Sequence, residues 1–231
     1  MFKFFLIIVF AVAFVVTNAQ EIKYYTVNPG ENILDKVPKE EICAYEDFQQ
    51  GIVVFKNGDK SGALLNYHYF FEEMLFVSQE GDTLALLNPN EVESIYIKSN
   101  QYFYTDNRFV KLDTTVGDIK IAVAGFFTTV NMKKMGAFGT ATDGAMNQYV
   151  AFTSPNGRRV DLTPNTVTTY SFRKILFVAD KFNKFVPVTK KSIYSLYPEK
   201  ANSLKAYLQS HEVDFFSRKA VIDLIVYMNN L

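Results

Sequence analysis

The residues able to do chemistry are few and scattered. Glu72 and Glu73 are the most conspicuous carboxylates, but they are adjacent. On a strand, neighbours point to opposite faces, so this pair cannot form the two-carboxylate site of a glycosidase. Asp59 and Asp82 stand beside turn glycines, where Asp stabilises the local backbone. His68 sits between Tyr67 and Tyr69 with no nucleophile motif nearby, and His211 lies far along the chain, so zinc-type sites lack ligands. Cys43, the single cysteine, follows Glu40 and Glu41 rather than a cation that would favour its thiolate, and it has no partner for an internal disulfide. A Gly-x-Ser-x-Gly elbow is missing, so nucleophilic catalysis has no signature. Gly136, Gly139 and Gly144 punctuate a loop from Lys133 to Asn147, but no Gly-Lys-Ser/Thr follows and the dinucleotide spacing is wrong. No catalytic residue, metal or cofactor is expected, and an enzyme is the less favoured class.

What remains is aromatic. Tyr67 and Tyr69 share one strand face, and Tyr102 and Tyr104 share another. A tyrosine presents a flat apolar ring with a polar tip, suited to sugars or peptides, so these four are the candidate ligand-binding residues; core or rim packing is the competing reading. The absence of Trp weakens a carbohydrate ligand. Asn66, between Leu65 and Tyr67, needs hydrogen-bond partners if buried and would then fix strand register.

The elements that must position these residues read as hairpins. Gly51 to Lys56 and Gly62 to Tyr69 flank Asn57-Gly58-Asp59, a tight-turn signature for antiparallel pairing. Met74 to Ser78, Thr83 to Leu87 and Val92 to Lys98 follow, separated by Glu80-Gly81-Asp82 and Asn88-Pro89-Asn90. Connections this short exclude parallel crossovers. Further strands are expected at Gln101 to Tyr104, Phe109 to Leu112, Thr166 to Phe172, Ile175 to Ala179 and Phe185 to Val188, with a hairpin from Gln148 through Pro155-Asn156-Gly157 to Thr163. Leu84 with Leu86, Ile95 with Ile97, and Ile119, Ile121 and Val123 alternate at period two, which predicts inward faces and a sheet with one wet side.

The C-terminus changes period. Lys190 to Tyr197 fits a short helix and Pro198 suits the first turn of the next. Ser217 is placed to cap a last helix in which Val221, Leu224, Ile225 and Met228 follow i, i+3, i+4, i+7 spacing. Such helices would seal an open edge or end of the sheet. The expected fold is mainly β (α+β): an antiparallel meander sheet, curled or partly closed, spanning 20–189, with C-terminal helices over 190–231. Loose echoes of Val53 to Gly58 and Met74 to Val77 in Val150 to Gly157 and Ile175 to Val178 permit two similar sub-units, 45–115 and 118–189.

Residues 1–19 read as a secretory leader. Lys3 precedes an apolar run from Phe4 to Val16, and Thr17, Asn18 and Ala19 suit cleavage before Gln20. The run is about 13 residues against the roughly 20 a helix needs to span a bilayer, so no stable insertion is expected after cleavage. The expected location is periplasmic or extracellular. Acidic and basic residues are equal at 24 each and unclustered, which argues against nucleic acid. Lys133-Lys134, Arg158-Arg159 and Lys190-Lys191 read as solvated turn and loop residues.

Gly51, Asn66-Tyr67, Gly81-Asp82, Val92 to Ile97 and Phe103 form one set of landmarks. Phe185-Val186-Pro187, Lys190-Lys191-Ser192, Tyr197-Pro198, Ala206-Tyr207 and Ile222 to Tyr227 form a second. Together the pattern resembles a class of exported β-rich proteins of Bacteroidetes-type bacteria. The resemblance implies an envelope or external location and brings no established activity or site. The function classes left are a non-catalytic binding module for an envelope protein or glycan, a surface-assembly protein, and a hydrolase with an unrecognised site.

Overall fold

The computed structural model describes residues 23–135, 141–143, 152–153, 159–160, 162, 164 and 166–231. The fold is mainly β, an antiparallel sheet that is not closed, with short C-terminal helices. Turn chemistry lays down the first hairpins: β2 (Gln49–Phe55) and β3 (Lys60–His68) meet across Gly58, whose φ of +92° is open to glycine without strain. β4 (Glu73–Val77) and β5 (Thr83–Ala85) follow. The chain then turns through Asn88 and Pro89 and does not continue outward from β5. Instead β6 (Val92–Ile97) returns to the far side of β2, pairing Val53 with Ile95. A second run, β7 (Asn100–Thr105), β8 (Arg108–Val116) and β9 (Ile119–Met135), extends the sheet from there.

The antiparallel meander is thus built from two runs joined at β2 and β6. Local turn signals specify each hairpin but not which strand an outgoing chain pairs with next. A β1 strand (Tyr24–Val27) and β13 (Val167–Ala179) complete the far side, giving the order β1-β13-β9-β8-β7-β6-β2-β3-β4-β5. β10 (Ala141–Asp143) pairs with the end of β9, and β14 (Val186–Pro187) pairs with β13. β11 (Phe152–Thr153) and β12 (Arg159–Val160) form a separate pair inside the hairpin expected there. Its turn, Pro155 to Gly157, lies outside the described residues, as do Gly136, Gly139, Gly144 and residues 1–22.

Several local expectations are corrected. β13 is one strand where two were expected, because Arg173 and Lys174 interrupt the apolar pattern but not the ladder to β9, which continues through Gly125 and Phe126. Lys133 and Lys134 belong to β9 rather than a turn, and Lys190 and Lys191 open a helix. Leu84 is exposed, because β5 is the three-residue outer strand of its run. The sheet is not wet on one side throughout. Ile119 and Ile121 of β9 face the helices, while Ala122 and Ala124 are equally buried against Phe103, Phe177 and Phe185.

The helices are α1 (Lys39–Ile42), α2 (Lys190–Leu196), α3 (Ala201–Ser210) and α4 (Arg218–Asn229). Thr189 and Ser192 form a capping box on α2, and Ser217 Oγ accepts from Ala220 N–H at the start of α4. Pro198 opens a 3-10 turn that leads into α3. Leu204, Val221, Leu224, Ile225 and Met228 are fully buried against Ile121 and Val178. The helices thus cover a face of the sheet, where an edge or end was expected, because the bare isoleucines and valines of β9 and β13 offer more apolar area than an edge does.

Curling brings distant strands together. Tyr69, just beyond β3, accepts a 3.4 Å bond from Phe127 N–H of β9 through its carbonyl, and Phe70 stacks on Phe127 with centroids 3.9 Å apart.

Candidate functional site

Inside the curl, β3 and β7 bring Tyr67 and Tyr102 within 6.2 Å, centroid to centroid. Tyr67 also meets Tyr69 edge-on at 5.5 Å, and Tyr104 lies 5.0 Å from Phe109. All four candidate tyrosines therefore converge on one cluster. They do so as interior packing: Tyr67 and Tyr102 are each 2% exposed, and Tyr69 and Tyr104 are half-buried. The reason is the curl, which turns the β3 and β7 faces toward each other. A fifth ring missed in the sequence, Tyr45, is the polar hub. Its hydroxyl shares a 3.0 Å bond with Tyr102 and accepts from Asn100 Nδ2 at 2.8 Å. Burial, then the Tyr45 bond, pushes the Tyr102 phenol far above its usual range, and burial pushes Tyr69 up to about 12, so both stay protonated.

Asn66 finds its partners on the neighbouring backbone. Its Oδ1 accepts from Tyr45 N–H at 3.1 Å and its Nδ2 donates to the Tyr45 carbonyl at 2.8 Å. The side chain takes the place of a strand where the line of β2 breaks, and it fixes the register of residues 42–45 against the end of β3.

That pairing creates an arrangement the sequence did not suggest. Cys43 bridges to His68, and His68 lies opposite Glu73 in the ladder, so thiol, imidazole and carboxylate residues stand in a row across adjacent strands. The order is that of a nucleophile, base and orienting acid. The state of the groups argues for structure instead. His68 Nδ1 accepts from Phe71 N–H at 3.2 Å and the ring stacks on Phe71 at 4.0 Å. Burial lowers His68 to about 4 and raises the Cys43 thiol to about 11. A thiolate activated by an imidazolium needs both shifts reversed. The only local clue was His68 in an apolar strand; its pairing with Cys43 depends on a contact 25 positions away, which spacing does not encode.

The two adjacent carboxylates do not lie on one strand, as the alternation argument assumed. Glu72 occupies the β3–β4 turn at φ +52° and pairs with Arg108 at 3.3 Å, while Glu73 opens β4. The Arg108 guanidinium also lies 4.8 Å over the Phe126 ring. Asp59 and Asp82 serve their turns: Asp59 N–H donates to Asn57 Oδ1, and Asp82 N–H donates to Ser78 Oγ. His211 stacks on Tyr207 at the end of α3. Among the described residues no three His, Cys, Asp or Glu side chains are grouped to hold a metal, and no helix is long and apolar enough to cross a membrane.

An accessible concavity lies elsewhere, as an open groove of about 520 Å³ between the β8–β9 turn, the β13–β14 turn and the α2–α3 junction. Asn229 ties its floor together, accepting from Tyr197 OH at 2.8 Å and donating to the Val116 carbonyl at 2.9 Å. Lys200 Nζ donates to the Met228 carbonyl at 2.8 Å, satisfying the C-terminus of α4. Asp118, Asp180 and Lys181 supply charges of both signs. Asp180 Oδ1 accepts from Phe182 N–H at 2.9 Å and so holds a turn from which the Phe182 ring projects, 76% exposed. Sequence reasoning missed this site, since its residues come from four separated segments. No protein-family model, curated protein or solved structure matches the chain.

Proposed function

We propose that this chain is an exported, non-catalytic binding protein that recognises an envelope protein or glycan at the groove beside Phe182. The observation that carries the reading is the contrast between its reactive and its accessible groups. Cys43 and His68 are held in unreactive protonation states by burial, whereas the groove offers an exposed aromatic ring and charges of both signs to solvent. A large exposed aromatic beside polar groups is the composition of a recognition hot spot. The leader pattern and the resemblance to exported β-rich proteins support a periplasmic or extracellular setting.

A photo-reactive phenylalanine analogue placed at position 182 in the native cell tests this directly. Phe216, 90% exposed and remote in sequence, is the control for general stickiness. The expected result is a discrete adduct from position 182 that position 216 does not give and that Lys200→Glu weakens. Equal labelling at both positions, or none at 182, overturns the reading.

A further inference from the structure

β5 ends the strand order, and among the described residues no strand pairs with its outer side. The bonds on its inner side decide which groups look outward. The Asp82 carbonyl accepts from Ser78 N–H at 2.8 Å, and Leu86 N–H donates to the Met74 carbonyl at 2.8 Å, so residues 82, 84 and 86 turn their backbone toward β4. Backbone groups of a strand alternate sides, so Thr83 and Ala85 each carry an N–H and a C=O away from β4. The edge is open to solvent: Leu84 is 47% exposed, and Leu87 just beyond it is 64% exposed. Apolar groups flank it on both faces. Phe76 lies opposite Leu84 on one face, and on the other Thr83 continues a row through Val77 to the exposed Leu64. Residues 83–87 include no charge and no proline, the devices that ordinarily guard a free edge.

We propose that this edge pairs with the β5 edge of a second copy of the chain, antiparallel about a two-fold axis through Leu84. The edge is its own complement. Its outward groups sit one residue to either side of Leu84, so the axis sets Thr83 against the second copy's Ala85 and Ala85 against the second copy's Thr83. Each of these pairs exchanges both of its backbone bonds. Leu84 meets the second copy's Leu84 in a non-hydrogen-bonded pair, with Cα atoms about 4.5 Å apart, where side chains approach most closely. Farther out, Asp82 faces the second copy's Leu86, Gly81 faces its exposed Leu87 and Glu80 faces its Asn88, so no acid meets an acid.

A strand of any sequence supplies backbone bonds. A second copy also sets exposed leucine against exposed leucine on one face and Leu87 beside a glycine on the other. Two-fold pairing occupies both β5 edges at once, so growth stops at a dimer. An edge of three residues makes a smaller contact than the roughly 1,200–2,000 Å² of a stable complex, and the association is accordingly weak and set by concentration. It is independent of the groove beside Phe182, whose lining includes no residue of β5.

Sedimentation equilibrium on the protein recovered from cells is expected to show monomer and dimer in a concentration-dependent ratio, without larger species. Thr83→Pro removes an outward donor and leaves the ladder to β4 intact, and Leu84→Lys sets like charges face to face. Each is expected to weaken the dimer about tenfold or more. The register has its own readout. Leu84→Cys in a Cys43→Ala background is expected to give a covalent dimer on mild oxidation, because a Cα separation of about 4.5 Å suits a disulfide. Glu80→Cys in the same background, away from the axis, should not. A monomer at every concentration, a dimer indifferent to both Thr83→Pro and Leu84→Lys, or equal cross-linking from positions 80 and 84 overturns the proposal. A monomer whose position 84, carrying a photo-reactive analogue, labels a different protein in the cell also overturns it and assigns the edge to a foreign strand.

Discussion

His68 gives the sharpest quantitative test of the buried polar row. It is 6% exposed, accepts a backbone bond at Nδ1 and titrates near 4 instead of its ordinary 6.5. Protonation converts Nδ1 to a donor, breaks the bond from Phe71 N–H and places a cation among aromatic rings. In the unfolded chain the imidazole takes up its proton at the ordinary value. Between pH 6.5 and pH 4 the unfolded state therefore binds more protons, and stability falls as pH falls. At about 1.4 kcal/mol per pH unit, the loss from pH 7 to pH 4.5 is about 3 kcal/mol. The assay is urea unfolding at steps across that range for the parent and for His68→Gln, which keeps an acceptor but does not titrate. Carboxylates contribute equally to both proteins, so the difference isolates the imidazole. The parent should lose about 3 kcal/mol more than the variant, and parallel pH profiles would refute the assignment.

Two further perturbations address other parts of the interior. Asn66→Ala strips the Tyr45 backbone of both its side-chain partners, and leaving two buried groups unsatisfied should cost about 2 to 4 kcal/mol by urea melts, with faster exchange across residues 43–45. Arg108→Met leaves Glu72 without its cation and should destabilise by about 3 to 5 kcal/mol, whereas adding Glu72→Gln should recover part of the loss in a double-mutant cycle.

The legible parts of this fold are those encoded within a few residues. Asn57-Gly58 specifies a turn because its backbone conformation is local, and Val221, Leu224, Ile225 and Met228 specify a buried stripe because helical spacing is local. Asn66 was readable as a register device, since a buried amide must find partners. The return of β6 to β2 was not readable, because any neighbouring strand with the same alternation satisfies the pattern equally well. Alternation at Ile119 and Ile121 marks one buried face of β9 but not the other, where Ala122 and Ala124 pack against Phe103, Phe177 and Phe185. The tyrosines were correctly paired by face, but only the curl decides whether a face looks in or out. The groove at Phe182 joins residues far apart in sequence, and the row of Cys43, His68 and Glu73 depends on a ladder broken between residues 45 and 49.

The helical cover over β9 and β13 has a consequence for biosynthesis. Leu204, Val221, Leu224, Ile225 and Met228 are among the last of the described residues to leave the ribosome, yet they belong to the cluster that shelters Ile121 and Val178. Until they arrive, the nascent sheet presents an oily wall and cannot settle into its final form. Maturation is thereby deferred until translation of those helices is finished, and a ribosome stalled before α4 would display a sticky, incomplete product suited to capture by a chaperone.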